Sequence, residues 1–287
     1  MTDQLAIALA QLNPRVGDLE GNADLLREAR QQAAAAGADL LMTSELMIVG
    51  YPPEDLVLRP SFLDAAEETV HALAAETADG GPAILLGSPW RTVDAAPIKG
   101  GKARLSHNAV LLLDGGEITA VRHKVDLPNY GVFDEVRVFV PGDAPEPVDF
   151  RGVKLGVPIC EDVWTPEVTR HLANRGAELL LVLNGSPFES GKTATRFDLM
   201  QARIKETGLP LVYLNQIGGQ DELVFDGASF VLNADAQMML QMPAWQECVE
   251  VTHWTRDADG WVCAPGEIAP QPDDLASIWS AMVVGLE

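Results

Sequence analysis

Basic side chains are scarce in this sequence: 20 Lys and Arg stand against 42 Asp and Glu, a formal net charge of −22. Nucleic acid and anionic membrane both recruit proteins through basic surface, so neither is expected as a partner. The acidity itself reads as a solubility feature. Cysteine is scarcer still. Cys160, Cys248 and Cys263 make an odd number with no C-x-x-C spacing, which argues against a disulfide framework or a structural zinc site. The five histidines are dispersed and form no H-x-H or H-E-x-x-H pair, so no metal is assigned. Long apolar runs are missing too. Stretches such as Leu179–Leu183 are far too short to span a bilayer, and the first ten residues lack the basic flank and cleavage pattern of a secretion signal. A cytoplasmic protein is expected.

What is present is a large apolar fraction. At 47% of 287 residues it supports the core of one large domain or two ordinary ones. Leu5–Leu12 reads as a buried strand. Asn22 reads as an N-cap, with Leu25, Leu26, Ala29, Ala33 and Ala36 on one helical face and Gly37 as the stop. Strands are expected at Ala38–Met42 and Ala83–Gly87, with a helix from about Ser61 to Thr77 between them. Asp114-Gly115-Gly116-Glu117 predicts a hairpin joining Asn108–Leu113 to Ile118–Arg122. The second half repeats the alternation: strands at Val153–Ile159, Leu179–Leu183, Leu211–Leu214, Ala228–Leu232 and Met238–Leu240, and helices from Pro166 to Asn174 and Ala194 to Glu206. Pro89–Arg104 reads as an exposed loop. Strand–helix alternation mixed with hairpins implies an α/β layered fold with mixed sheets covered by helices.

Three reactive residues sit at predicted strand ends beside turn chemistry. Glu45 follows an apolar strand and precedes Gly50-Tyr51-Pro52-Pro53; a carboxylate held out of water there suits a general base, although a capping or salt-bridged Glu reads the same way. Lys124 follows a strand and precedes a loop, where an ammonium could stabilise an oxyanion; a lone Lys is more often a solvated one. Cys160 lies in Gly156-Val157-Pro158-Ile159-Cys160-Glu161-Asp162-Val163-Trp164. A strand-to-helix turn or a nearby cation would lower its pKa, and the backbone N–H of Glu161 could point into an oxyanion hole. A small buried filler is the alternative, and it is the reading kept for Cys248 and Cys263. For a Cys–His dyad, only His123 and His171 are candidate partners.

Taken in order, Glu45, Lys124 and Cys160 resemble the Glu-Lys-Cys triad of the nitrilase (carbon–nitrogen hydrolase) superfamily. Four separated motifs narrow the resemblance: Glu45–Leu56, Leu127–Arg137, Ile159–Trp164 and Asn215–Gly227 are similar to stretches in the glutaminase domains of glutamine-dependent NAD synthetases. The resemblance covers roughly residues 4–287. It implies a nitrilase-like αββα four-layer sandwich. It further implies that Cys160 attacks the side-chain amide of glutamine, that Glu45 shuttles the proton, that Lys124 and the Glu161 N–H hold the oxyanion, and that Glu135 is the second active-site glutamate. Tyr130, Ser186 and Lys192 are implied to contact the α-amino and α-carboxylate groups of the substrate. Pro158, two residues before the nucleophile, implies a strand position that is unpaired or bulged.

The same resemblance implies a partner. Residues 1–263 are expected to form the amidohydrolase domain, and 264–287, rich in Pro, Gly and acid before a short apolar helix, a linker and the start of a C-terminal synthetase domain. The pyrophosphate-binding Ser-Gly-Gly-x-Asp-Ser loop of that domain is not in the sequence. ATP and Mg would serve only the synthetase domain, and the glutaminase reaction needs no cofactor. A homo-oligomer is expected. A free-standing amidase or carbamoylase, and a domain that is catalytically silent in isolation and serves assembly, stay open alongside the glutaminase reading.

Overall fold

The computed structural model describes residues 2–92 and 106–286. Among these described residues, fifteen strands and six α-helices follow in the order β1 (Gln4–Gln11), α1 (Leu19–Ala35), β2 (Leu40–Met42), α2 (Pro60–Glu76), β3 (Ala83–Trp90), β4 (His107–Asp114), β5 (Glu117–His123), α3 (Glu135–Val138), β6 (Val148–Phe150), β7 (Val153–Gly156), α4 (Glu167–Asn174), β8 (Leu179–Leu183), α5 (Lys192–Thr207), β9 (Leu211–Leu214), β10 (Ile217–Gln220), β11 (Leu223–Asp226), β12 (Phe230–Leu232), β13 (Met238–Gln241), β14 (Cys248–Arg256), β15 (Trp261–Cys263) and α6 (Asp274–Val284). Two large mixed sheets result. One has the order β15-β14-β1-β2-β3-β4-β5 and the other β13-β12-β9-β8-β7-β6, while β10 and β11 form a separate hairpin.

Strand alternation builds the layers. In β1, Ile7 and Leu9 join a core with Leu179, Leu181 and Leu183 of β8, so the two sheets face each other. The intervening residues of β1, Ala8 and Ala10, pack with Leu26 and Ala29 of α1 and Val70 of α2. On the far side, Leu180 and Val182 of β8 pack with Leu172 of α4 and Met200 and Ile204 of α5. Helix, sheet, sheet, helix is the αββα sandwich. The continuous apolar runs of β1 and β8 are what a strand covered on both faces requires.

Several boundaries differ from the sequence expectations. Helix α1 begins at Leu19, capped by Asp18, whose Oδ1 accepts from Gly21 N at 2.9 Å. Asn22 lies inside the helix, buried, and donates to the Arg15 and Ile48 carbonyls at 2.8 and 3.0 Å. Helix α5 begins at Lys192, two residues earlier than expected. Strand β7 stops at Gly156, and Ile159 regains a single bridge to Leu183; Pro158 falls in the interruption, because it has no N–H for the ladder. The expected loop at Pro89–Arg104 begins inside β3, and most of it lies outside the described residues. The hairpin at Gly115 and Gly116 has both residues at positive φ, as a two-residue turn between twisted strands requires.

After β15 the chain runs beside β13, with Gly266 N bonded to Met239 O at 2.7 Å and Ala269 N to Gln241 O at 2.9 Å. Helix α6 then packs against β11 with none of its residues buried. Among the described residues no helix is long and apolar enough to cross a membrane.

Candidate active site

Glu45 lies three residues past β2, on a segment that crosses directly over β3. Gly87 permits the crossing: a Cβ there would stand 2.3 Å from Ser44 O and 2.5 Å from Leu46 N. The Glu45 carboxylate is fully buried and satisfied by three donors from three elements. Oε1 accepts from Lys124 Nζ at 2.7 Å and from Asn108 Nδ2 at 2.7 Å, and Oε2 accepts from the Gly185 N–H at 2.8 Å. Gly185 must also be glycine, since a Cβ would meet the Tyr51 ring at 2.9 Å and Glu45 Oε2 at 3.3 Å.

Lys124, 0% exposed, leaves the end of β5 and donates to a second carboxylate, Glu135 Oε1, at 2.8 Å. Tyr51 donates its O–H to the same Glu135 oxygen at 2.9 Å. Burial works to lower the Lys124 pKa, but Glu135 and Glu45 outweigh it and hold the group well above the usual lysine value, as an ammonium. Glu135 is pushed up, first by burial and then by Glu45, with Lys124 opposing. One buried cation thus sits between two carboxylates, an arrangement retained only when each charge has a partner.

Cys160 opens a 3-10 turn, Cys160–Val163, at φ +44°. A non-glycine residue there is strained, and such strain gathers at functional sites where it fixes a side chain in place. The expectation of a lowered thiol pKa is corrected. Burial and the Glu45 carboxylate push Cys160 well above the usual thiol value, and Lys124 only partly offsets them. The resting residue is therefore a neutral thiol, so its nucleophilicity depends on a base rather than on a standing thiolate.

Cys160 forms part of the floor of a cavity of about 760 Å³. Tyr130, Glu161, Ser186 and Lys192 all line it, so the structure gathers every residue expected at the substrate position. Tyr130 donates its O–H to Glu161 at 2.9 Å. Lys192, at the start of α5, stands with Nζ 5.9 Å from the ring centroids of both Phe133 and Trp164 and 3.9 Å from the Glu189 carboxylate. Burial and nearby Arg196 lower its pKa. Ser186 is held from behind: Arg196 donates from Nε to its Oγ at 3.2 Å and is itself paired with both oxygens of Asp226 at 2.8 and 2.9 Å. His123 and His171 do not line the cavity. His123 stacks on His107 at 4.0 Å, and His171 sits in the last turn of α4.

The sequence profile of the carbon-nitrogen hydrolase family matches residues 6–257. This chain belongs to that family. Among related carbon–nitrogen hydrolase chains, the glutamine-dependent NAD(+) synthetase of Rhodobacter capsulatus is 45% identical over 100% of this chain and 50% of its own length. A solved glutamine-dependent NAD+ synthetase from Acinetobacter baumannii, in complex with ADP, superposes with a TM-score of 0.88 at 34% identity, covering 98% of this chain and 51% of the other. An amidase from Nesterenkonia sp. AN1, in a structure showing Michael addition of acrylamide at its active-site cysteine, gives a TM-score of 0.72 at 31% identity over 86% of this chain and 92% of the amidase. The chain spans about half the length of the curated relatives it matches.

Within this carbon–nitrogen hydrolase site, Asn108, Gly185 and Tyr51 were not expected as parts of the constellation. Tyr51 lies inside a quoted motif. Asn108 carries no such signal: it is one polar residue at the start of an apolar strand, and only the pairing of β4 with β5 sets it beside Lys124, whose N–H bonds Asn108 O at 2.8 Å.

Proposed function

We propose that this domain hydrolyses the side-chain amide of glutamine through a thioester on Cys160 and releases ammonia. The observation that carries the reading is the placement of the Cys160 thiol on the wall of the cavity, with the Glu45 carboxylate and the Lys124 ammonium, bonded to each other at 2.7 Å, near enough for their charges to act on it. Cys160 Sγ attacks the amide carbon while Glu45 takes the thiol proton. Lys124 Nζ and the Glu161 N–H hold the oxyanion, with Glu135, itself held by the Tyr51 hydroxyl, fixing Lys124. The tetrahedral intermediate collapses, Glu45 passes the proton to the leaving nitrogen, and ammonia departs. Water, deprotonated by Glu45, then hydrolyses the thioester. Tyr130, Ser186 and Lys192 contact the amino-acid end of the substrate, the Lys192 ammonium suiting a carboxylate.

Glutamine is favoured by the names of the Rhodobacter capsulatus and Synechocystis relatives and of the solved Acinetobacter baumannii protein, each a glutamine-dependent NAD+ synthetase. On this reading the ammonia serves amidation of nicotinic acid adenine dinucleotide by an ATP- and Mg-dependent synthetase domain, in a cytoplasmic homo-oligomer. A small-amide amidase is the second reading, favoured by the Nesterenkonia enzyme, nearly all of which this chain covers. Side-by-side turnover of glutamine, short aliphatic amides and ureido acids separates the two; glutamine should be preferred by at least about tenfold in kcat/KM, a difference of ~1.4 kcal/mol. A glutamine-like electrophile should label the wild-type protein once per chain and leave Cys160→Ala unlabelled. Labelling that persists in that variant would refute the assignment of the nucleophile.

A further inference from the structure

Asp162 is the one buried carboxylate of the nucleophile turn, and the mechanism does not use it. Two residues after Cys160 and 1% exposed, it accepts three backbone N–H groups from two separate segments. Oδ1 accepts from Val125 N at 3.0 Å and Asp126 N at 2.8 Å; Oδ2 accepts from Ile159 N at 3.0 Å. Val125 and Asp126 directly follow Lys124. Ile159 directly precedes Cys160. One carboxylate therefore ties the chain just after the cation to the chain just before the thiol.

Both segments need such a tie. Strand β5 ends at His123, so Val125 and Asp126 have no ladder partner for their N–H groups. Strand β7 ends at Gly156, and the turn that presents Cys160 stands on one bridge, Ile159 to Leu183. The Lys124 backbone itself is gripped on both sides, its N–H by Asn108 O at 2.8 Å and its carbonyl by Gly142 N at 2.7 Å. With Lys124 anchored to the β4–β5 sheet edge, Asp162 is the link that carries this anchorage across to the thiol. Burial pushes Asp162 up to about 7 even though the N–H donors and Lys124 pull the other way; a carboxylate placed at that disadvantage is held by its geometry.

We propose that Asp162 is a positioning residue that sets the distance and angle between Lys124 and Cys160, and that the amide hydrolysis proposed above, on which this rests, depends on it. Asparagine is the informative replacement. It keeps the shape but offers one acceptor atom, so it can serve either the Val125–Asp126 pair or Ile159, and its NH₂ group opposes the other N–H. Tyr130, Ser186 and Lys192 line the cavity and Asp162 does not, so substrate binding should be spared.

The test measures glutamine turnover and, separately, the rate of Cys160 alkylation by acrylamide, in wild type, Asp162→Asn, Lys124→Met and the double variant. In Asp162→Asn both rates should fall by about 10²-fold, the effect of a displacement of roughly 1 Å in reacting groups, with KM changed less than about threefold. In the Lys124→Met background the further loss from Asp162→Asn should shrink to under about threefold, because residues acting through one another are not additive. Wild-type rates in Asp162→Asn, a loss confined to KM, or full additivity with Lys124→Met each overturn the proposal. Acrylamide reports on Cys160 whether or not glutamine is the substrate: if wild type alkylates readily but does not turn over glutamine, the functional reading fails and the positioning test still stands on alkylation. If Asp162→Asn does not fold, Asp162→Glu keeps the charge on a longer arm and should show the same alkylation deficit. If neither variant folds, the carboxylate is a folding element and the proposal fails.

Discussion

Glu45 keeps one acceptor position free. An ammonium and a side-chain amide fill Oε1, and a single backbone N–H reaches Oε2, which leaves Oε2 a lone pair for a proton. A merely structural carboxylate would be replaceable by its amide at the cost of one bond. Here the amide NH₂ of Glu45→Gln would oppose either Lys124 or Gly185, and it could not take a proton from a neutral thiol. Turnover by Glu45→Gln should fall about 10³-fold, within the 10²–10⁴ range typical of a lost general base, with KM within a few-fold of wild type. A kcat within tenfold of wild type would assign the proton shuttle to another group. Glu45, Lys124 and Cys160 stood out in the sequence as candidates because each lies at a strand end beside turn chemistry, and because their order resembles that of a family triad. Asn108 was not. It lies 63 residues from Glu45, and nothing but sheet pairing relates the two. The protonation state of Cys160 was not legible either, since it depends on how deeply the turn is buried and on which carboxylate faces it.

Among the elements, the β4–β5 hairpin announced itself through adjacent glycines between apolar runs, whereas β14 was invisible. Cys248–Arg256 is half-buried with polar residues interleaved, and its partner is β1, so Gln11 pairs with Cys248 across nearly the whole chain. Helix bodies were read well and helix starts less so, because Asn22 and Asp18 are both good caps and only one of them points at a free N–H. The hairpin also carries a titrating feature that its sequence did not reveal. His107 and His123 stack at 4.0 Å with planes 9° apart, and the His123 Nε2 is buried with no partner. Burial first, then His107 and Arg122, lower the His123 pKa to about 4. A histidine whose folded value lies below its unfolded value near 6.5 stabilises the fold fully above that value, and the contribution is lost as pH falls toward 4. Asp162, raised to about 7, acts in the opposite sense, its stabilisation falling as pH rises from about 4 to 7. The difference between proteins isolates the histidine: the melting temperature of wild type relative to His123→Gln should decline as pH is lowered from 6.5 to 4.5. A parallel pair of curves would show that His123 does not titrate in this window.

At the scale of the whole molecule, two features pull against each other. The chain carries a net charge of −22, which keeps copies apart, and at its C-terminal end α6 presents Leu275, Trp279 and Met282, 80%, 68% and 60% exposed. Leu275, Trp279 and Met282 recur at helical spacing on one face of α6, and an exposed apolar face of this kind is a candidate interaction surface. The charge acts at long range and is screened by salt, with a Debye length of about 10 Å at 0.1 M, while apolar association acts on contact and is not weakened by salt. Sedimentation velocity should therefore show self-association through α6 that strengthens from 20 mM to 500 mM NaCl. Trp279→Ser with Met282→Ser should remove the salt-promoted part. The same double variant should leave the melting temperature within about 1–2 °C of wild type, since mostly exposed side chains contribute within about ±0.5 kcal/mol each to folding. Salt-dependent association that survives the double variant would move the interface to another face, the helical layers of the sandwich being the next to test.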